Sequence, residues 1–177
     1  GILLIFDEVI TAFGRVGSAF ACQRFDVIPD IITTAKGLTN GVIPMGAVLV
    51  RKEIHDAFMQ GPEIAAEIFH GYTYSGHPVA AAAGIATLDV YQEEGLFEQA
   101  RENEKIFEDA LHSFKGESNV IDIRNFGLMG AIEFSAREGE PGSRGFEIHK
   151  KCFEEGLLVR NAMDMLVFSP FLAFTDE

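Results

Sequence analysis

Residues 2–6 are uniformly apolar and stop at Asp7-Glu8, which predicts a strand buried on both faces and ended by two carboxylates. Glycines at 14 and 17 make the following stretch a loop, and residues 20–25 predict a short helical turn. Pro29-Asp30 then resets the chain before the β-branched run Ile31-Ile32-Thr33-Thr34. That run has the character of a strand in the core of a parallel sheet. Residues 46–50 predict a third buried strand, with a polar, helix-compatible stretch behind it at 51–60. Strand and helix alternate, so the first part is expected to be α/β.

Residues 61–76 form a long aromatic and glycine-rich loop, longer than a simple connection needs. From Pro78 a helix is expected to about Glu94, with proline in its first turn and apolar residues nearly all round, which predicts burial. A second helix over 96–114 is amphipathic, with Leu96, Ala100, Ile106, Phe107 and Leu111 as its candidate core face. Residues 120–124 and 129–134, with a turn at Gly127, predict a hairpin. A polar loop over 139–145, a helix over 146–155 ended by Gly156, a strand over 157–160 and an apolar segment over 165–168 complete the pattern. The expected organisation is one domain over 1–84 and a small α+β domain over 85–177, incomplete at its end.

The 177 residues are 47% hydrophobic and 23% charged, enough apolar material for a core. A net charge of −13 argues against nucleic acid or an anionic membrane as partner. Cys22 and Cys152 are far apart and have no C-x-x-C or histidine-rich setting, so neither a disulfide scaffold nor a metal site is expected, and a reducing cytoplasm is the simplest compartment. No apolar run is long enough for a membrane span, and no basic leader with a cleavage site is present. The chain opens in mid-strand and closes at Thr175-Asp176-Glu177, as a fragment of a longer protein would.

Lys36 follows the second strand directly, and in parallel sheets ligands bind just beyond the carboxyl ends of the strands. A desolvated lysine is a nucleophilic amine able to form a Schiff base, whereas a strand-end lysine can also simply snorkel to water. Asp7 stands at the end of the first strand, about one strand-helix-strand unit earlier. A carboxylate and an amine in one crevice suit pyridoxal phosphate, the amine attaching to the cofactor and the carboxylate holding the pyridine nitrogen protonated. A structural Asp7–Lys36 ion pair at the sheet edge is the plainer alternative.

The residues Asp7-Glu8-Val9-Ile10 with Phe13-Gly14-Arg15 and Gly17, then Pro29-Asp30-Ile31 with Ala35-Lys36-Gly37-Leu38, then Pro44-Met45-Gly46-Ala47, stand in the order and spacing of one family. The chain resembles the class III, or ω-type, aminotransferases, of fold-type I, over essentially its whole length. The stretch His70-Gly71-Tyr72-Thr73-Tyr74-Ser75-Gly76-His77-Pro78 is most similar to the ω-amino acid:pyruvate branch. The resemblance implies a mostly parallel sheet in the large domain and a pyridoxal 5'-phosphate cofactor. It also implies that Lys36 forms the internal aldimine, Asp7 pairs with the ring nitrogen and Val9 packs on one ring face. Thr73 would reach the cofactor phosphate of the other subunit of a homodimer, and Arg160 would pair with a substrate carboxylate. Arg15 is expected to stabilise its loop first, and His70 and His77 to serve as hydrogen-bonding residues of the loop and helix start. The phosphate-binding turn and the second ring-stacking aromatic of the family lie before the matched region, so the 177 residues alone are expected to be inactive.

The implied activity is transamination between an ω-amino acid or amine and a keto acid such as pyruvate. Alternatives are another reaction on the same scaffold, an aminomutase or a decarboxylase, or a catalytically silent assembly or regulatory subunit.

Overall fold

The structure, a computed structural model, describes residues 1–65, 68 and 70–174. It comprises two compact units, residues 1–13 with 18–95 and residues 14–17 with 96 onward. The division expected after residue 84 falls inside a helix that belongs whole to the first unit.

The first unit holds a three-stranded sheet in the order β1 (Ile5–Asp7), β2 (Ile31–Thr34), β3 (Ala47–Val50). Strands β1 and β2 are parallel, with Asp7 opposite Thr33, and the Glu8 N–H extends the ladder to the Thr33 carbonyl at 2.9 Å. Strand β1 starts later than the apolar run. The Leu4 N–H is taken by the Asp30 carboxylate at 2.8 Å instead of by a strand neighbour, and Ile2 is 99% exposed. Strand β3 runs antiparallel to β2 at the sheet edge. Its residues Val48, Leu49 and Val50, expected to be buried, are exposed among the described residues. Among the described residues β3 pairs with β2 alone.

Helix α1 (Ala21–Arg24) is the expected short turn, and α2 (Lys52–Phe58) follows β3. A 3-10 turn, Lys36–Leu38, begins directly beyond β2. Helix α3 (Pro78–Glu93) starts as the proline predicts, and its amino end is capped by His77, whose Nδ1 accepts the Ala80 N–H at 3.5 Å. The helix is not buried all round. Only Ala80, Gly84 and Tyr91 are buried, along one stripe, while Val79, Ile85, Leu88 and Val90 are exposed. Small residues make that stripe the packing face: a Cβ at Gly84 would stand 2.9 Å from Met45 Cε, so the helix sits against the segment after Lys36 as closely as glycine permits.

The second unit is a four-stranded antiparallel sheet in the order β4 (Val120–Phe126), β5 (Met129–Phe134), β7 (Met165–Phe168), β6 (Arg160–Ala162). Helix α4 (Leu96–His112) covers one face, its Ala100, Phe107 and Leu111 joining Leu128 and Ile132 in the core. Ile106 is exposed, since it lies one helical position, about 100°, from Phe107 and off the stripe. Helix α5 (Ser143–Glu154) begins three residues earlier than its apolar pattern suggests. Asp164, in the β6–β7 turn, explains why: its carboxylate accepts the N–H groups of Gly142 at 2.6 Å and Gly145 at 3.0 Å and so caps the helix. The strand expected over 157–160 instead starts at Arg160, leaving Leu157 and Leu158 exposed.

Candidate active site at the ends of two parallel strands

Strand β1 delivers Asp7 and β2 leads to Lys36 at the same, carboxyl, edge of the sheet, because the two strands are parallel neighbours in register. That edge is where an open α/β sheet presents its ligand-binding groups. The Asp7 carboxylate receives only neutral donors among the described residues. The Val9 N–H lies at 3.1 Å, and the Thr33 hydroxyl makes a long contact at 3.4 Å from the neighbouring strand. Acceptor capacity therefore remains on Asp7, which is solvent-exposed. Val9 lies in the turn after β1, held by that Asp7 bond, rather than on extended backbone where strand alternation would have placed it.

Lys36 is the first residue of the 3-10 turn and has φ +43°, the left-handed region that disfavours side chains larger than glycine. Its side chain is exposed among the described residues. The turn is held by Leu38 N–H to the Ala35 carbonyl at 3.0 Å, by Thr39 and Gly41 N–H to the Lys36 carbonyl, each at 3.3 Å, and by the buried Thr39 hydroxyl, which donates to Ile43 O at 2.6 Å.

Thr73 stands exposed in the turn over residues 72–76, where Ser75 N–H bonds the Tyr72 carbonyl at 3.0 Å. His70 meets the Tyr72 ring edge-on at 5.2 Å. Arg160 belongs to the second unit, at the start of the edge strand β6. Cross-strand partners share a sheet face, and the register Arg124–Ala131–Val167–Arg160 sets Arg160 on the face away from α4, since Ile123 and Ile132 of the alternate register pack in the α4 core. Arg15 does stabilise its loop: its Nη1 donates to Leu128 O at 3.3 Å and Pro170 O at 2.6 Å.

Two residues beside the candidate site carry no chemistry signal in the sequence. Glu8 is 1% exposed, and its carboxylate accepts the N–H groups of Ala21 at 2.7 Å and Cys22 at 2.9 Å and the Thr11 hydroxyl at 2.8 Å. It caps α1 from the end of β1. Burial first, and the nearby Glu8 charge second, push the Cys22 thiol above its ordinary value, so it is protonated and inert at neutral pH. Tyr91, the second residue, projects from α3 toward the Lys36 turn and reads in the sequence as one more apolar position of a buried helix. No cluster of potential metal ligands occurs among the described residues, and no described helix is long and apolar enough to cross a membrane.

The sequence matches the family described as aminotransferase class-III over residues 1–177. It is 52% identical over 169 residues to an omega-aminotransferase of Caulobacter vibrioides, covering 96% of this chain and 38% of that protein. It is likewise 52% identical over 171 residues to a beta-alanine–pyruvate aminotransferase of Pseudomonas aeruginosa, with the same coverage of 96% and 38%. Among solved structures it is similar to an amine transaminase from an uncultivated Pseudomonas species in its PLP-bound, internal aldimine form, with a TM-score of 0.90 at 37% identity, covering 99% of this chain and 41% of that one. The chain thus spans about two fifths of the length of the relatives it matches. With Asp7 and Lys36 at adjacent parallel strand ends and the family match running from the first residue to the last, the chain belongs to the class III aminotransferases.

Proposed function

We propose that the protein carrying this chain is a pyridoxal-phosphate-dependent aminotransferase that moves an amino group from an ω-amino acid or amine to a keto acid such as pyruvate. The observation that carries the reading is the delivery of Asp7 and Lys36 to one edge of the sheet by neighbouring parallel strands. The names of the relatives, an omega-aminotransferase and a beta-alanine–pyruvate aminotransferase, support the donor and acceptor classes.

The donor set fits the cofactor, since Asp7 has an acceptor to spare and faces neutral donors only among the described residues. Pyridoxal phosphate, when bound, supplies an electrophilic carbonyl carbon and a ring that accepts electrons. Lys36 would hold the cofactor through its Nζ, and the free Nζ would be the base that takes a proton from the substrate carbon and gives one back. The Asp7 carboxylate holds a proton on the ring nitrogen by charge-assisted hydrogen bonding. Val9 packs on one face of the ring. The Thr73 hydroxyl donates to the phosphate bound by a second copy in a homodimer. The Arg160 guanidinium grips the carboxylate of the keto acid bidentately and swings aside for an amine that lacks one. The two free cysteines favour a cytoplasmic setting.

The test is Lys36→Ala in the full-length protein. Loss of the cofactor's visible absorption band and of amino transfer from β-alanine to pyruvate is expected, and a retained band refutes the assignment. Product analysis separates the rivals, since a mutase returns an isomer of the donor and a decarboxylase releases carbon dioxide. A silent subunit shows no band even before substitution.

A further inference from the structure

We infer that Tyr91 is a positioning residue for Lys36, acting through the Gly37 carbonyl; the inference rests on the reading of Lys36 as the cofactor lysine. Lys36 sits in the left-handed region at φ +43°, which a residue with a long side chain occupies only where its surroundings over-determine the backbone. Within the turn the Lys36 carbonyl is bonded by the Thr39 and Gly41 amides and the Gly37 carbonyl by the Asn40 amide, each at 3.3 Å. The shorter of the two bonds to the Gly37 carbonyl comes from outside the turn. The Tyr91 hydroxyl, brought by α3 from 54 positions along the chain, donates to Gly37 O at 2.7 Å.

The bond lies in a packed setting. Tyr91 is 7% exposed, and its ring lies nearly parallel to that of Phe13, with centroids 6.2 Å apart and planes at 14°. Phe13 also presses on the turn. A Cβ at Gly37 would stand 2.9 Å from Phe13 Cβ and 3.4 Å from the Tyr91 oxygen. Gly37 is therefore packed against Phe13 and the Tyr91 hydroxyl where a side chain would stand, and its carbonyl is held by that hydroxyl. The Gly37 carbonyl belongs to the Gly37–Leu38 peptide, one Cα beyond the peptide that joins Lys36 to Gly37, so holding it restrains the turn from which the lysine stem starts. Phe13 follows the loop that begins at Asp7, so the same packing ties the Lys36 turn to the segment that follows the carboxylate strand. An apolar helix that sends one phenol to a backbone carbonyl beside the reactive lysine is placed to hold the amine at a defined distance from the Asp7 edge.

Tyr91→Phe in the full-length protein tests this, since it keeps the ring and its stack and removes only the hydroxyl. Two quantities are read: amide hydrogen exchange of the apo-protein at Thr39 and Gly41, and the rate at which pyridoxal phosphate becomes fixed to Lys36 on borohydride reduction, located by mass spectrometry. Loss of one buried hydrogen bond is expected to speed exchange at those two amides by about fivefold to tenfold and to slow trapping at Lys36 by a similar factor, with the amides of α3 unchanged. Unchanged exchange and trapping overturn the proposal, as does an equal acceleration through all of α3, which marks Tyr91 as merely structural. Phe13→Leu is the second variant should Tyr91→Phe fail to fold, with the same two shifts expected and their absence equally fatal. Wild-type protein that traps no cofactor at Lys36 overturns the underlying reading and this proposal with it, a pattern distinct from any effect confined to the variant.

Discussion

Replacing Glu8 by alanine removes a carboxylate that is 1% exposed and that satisfies two backbone donors at the start of α1. Helix α1 has only four residues, too few to be stable alone, and Phe20 before it offers no side-chain acceptor, so Glu8 supplies the cap from a distance. Truncation leaves the Ala21 and Cys22 N–H groups without an acceptor and opens a cavity of several atoms. At about 1–2 kcal/mol for each unsatisfied buried donor, with the half-buried Thr11 hydroxyl free to turn elsewhere, the cost is about 2–4 kcal/mol. Against a typical total stability of about 5–15 kcal/mol that is a large fraction, and it falls on the segment following Asp7. The assay is amide exchange at Ala21 and Cys22 in the full-length protein. At about 1.4 kcal/mol per factor of ten, Glu8→Ala should accelerate both by roughly one and a half to three orders of magnitude. Exchange at these amides that does not change would refute the capping role and the positional link to Asp7 built on it.

Acid should loosen the β6–β7 hairpin through Asp164, whose carboxyl is held below its ordinary value of 3.8 by the Gly142 N–H first and the Gly145 N–H second. A depressed carboxyl contributes stability that is present above that ordinary value and is lost as pH falls through the lower folded one. Asp164→Asn should therefore be less stable than wild type at neutral pH, with the difference shrinking below about pH 4, as followed by circular dichroism across an acid titration. Arg15→Lys replaces a guanidinium that reaches two carbonyls, of Leu128 and Pro170, and is expected to lower the stability of the second unit by about 1–2 kcal/mol, read as a shift of the urea midpoint at constant slope.

Periodicity located most elements because each has a strong local cause. Pro78 starts α3, the β-branched run 31–34 makes β2, and Gly127 makes the hairpin turn, where its φ of +55° and a Cβ 2.6 Å from the Arg15 carbonyl exclude any other residue. Burial was less legible. Apolar composition marks β3 and α3 as interior, and among the described residues α3 is buried only along the stripe of Ala80, Gly84 and Tyr91. Boundaries moved where a distant group captured a backbone donor, as Asp30 does at Leu4 and Asp164 at Gly142.

The sequence by itself determined the family, the strand ends that carry Asp7 and Lys36, and the loop and strand that carry Thr73 and Arg160. These follow from local residue order, which survives without knowledge of contacts. Only the tertiary structure decided that β1 and β2 are parallel neighbours, so that the two strand-end residues share one edge. Only it could show Glu8 turned inward to cap α1, Tyr91 reaching the Gly37 carbonyl, and Lys36 held in the left-handed region. Side-chain direction and backbone dihedrals depend on partners far along the chain, and no local pattern encodes a bond between residues 54 positions apart.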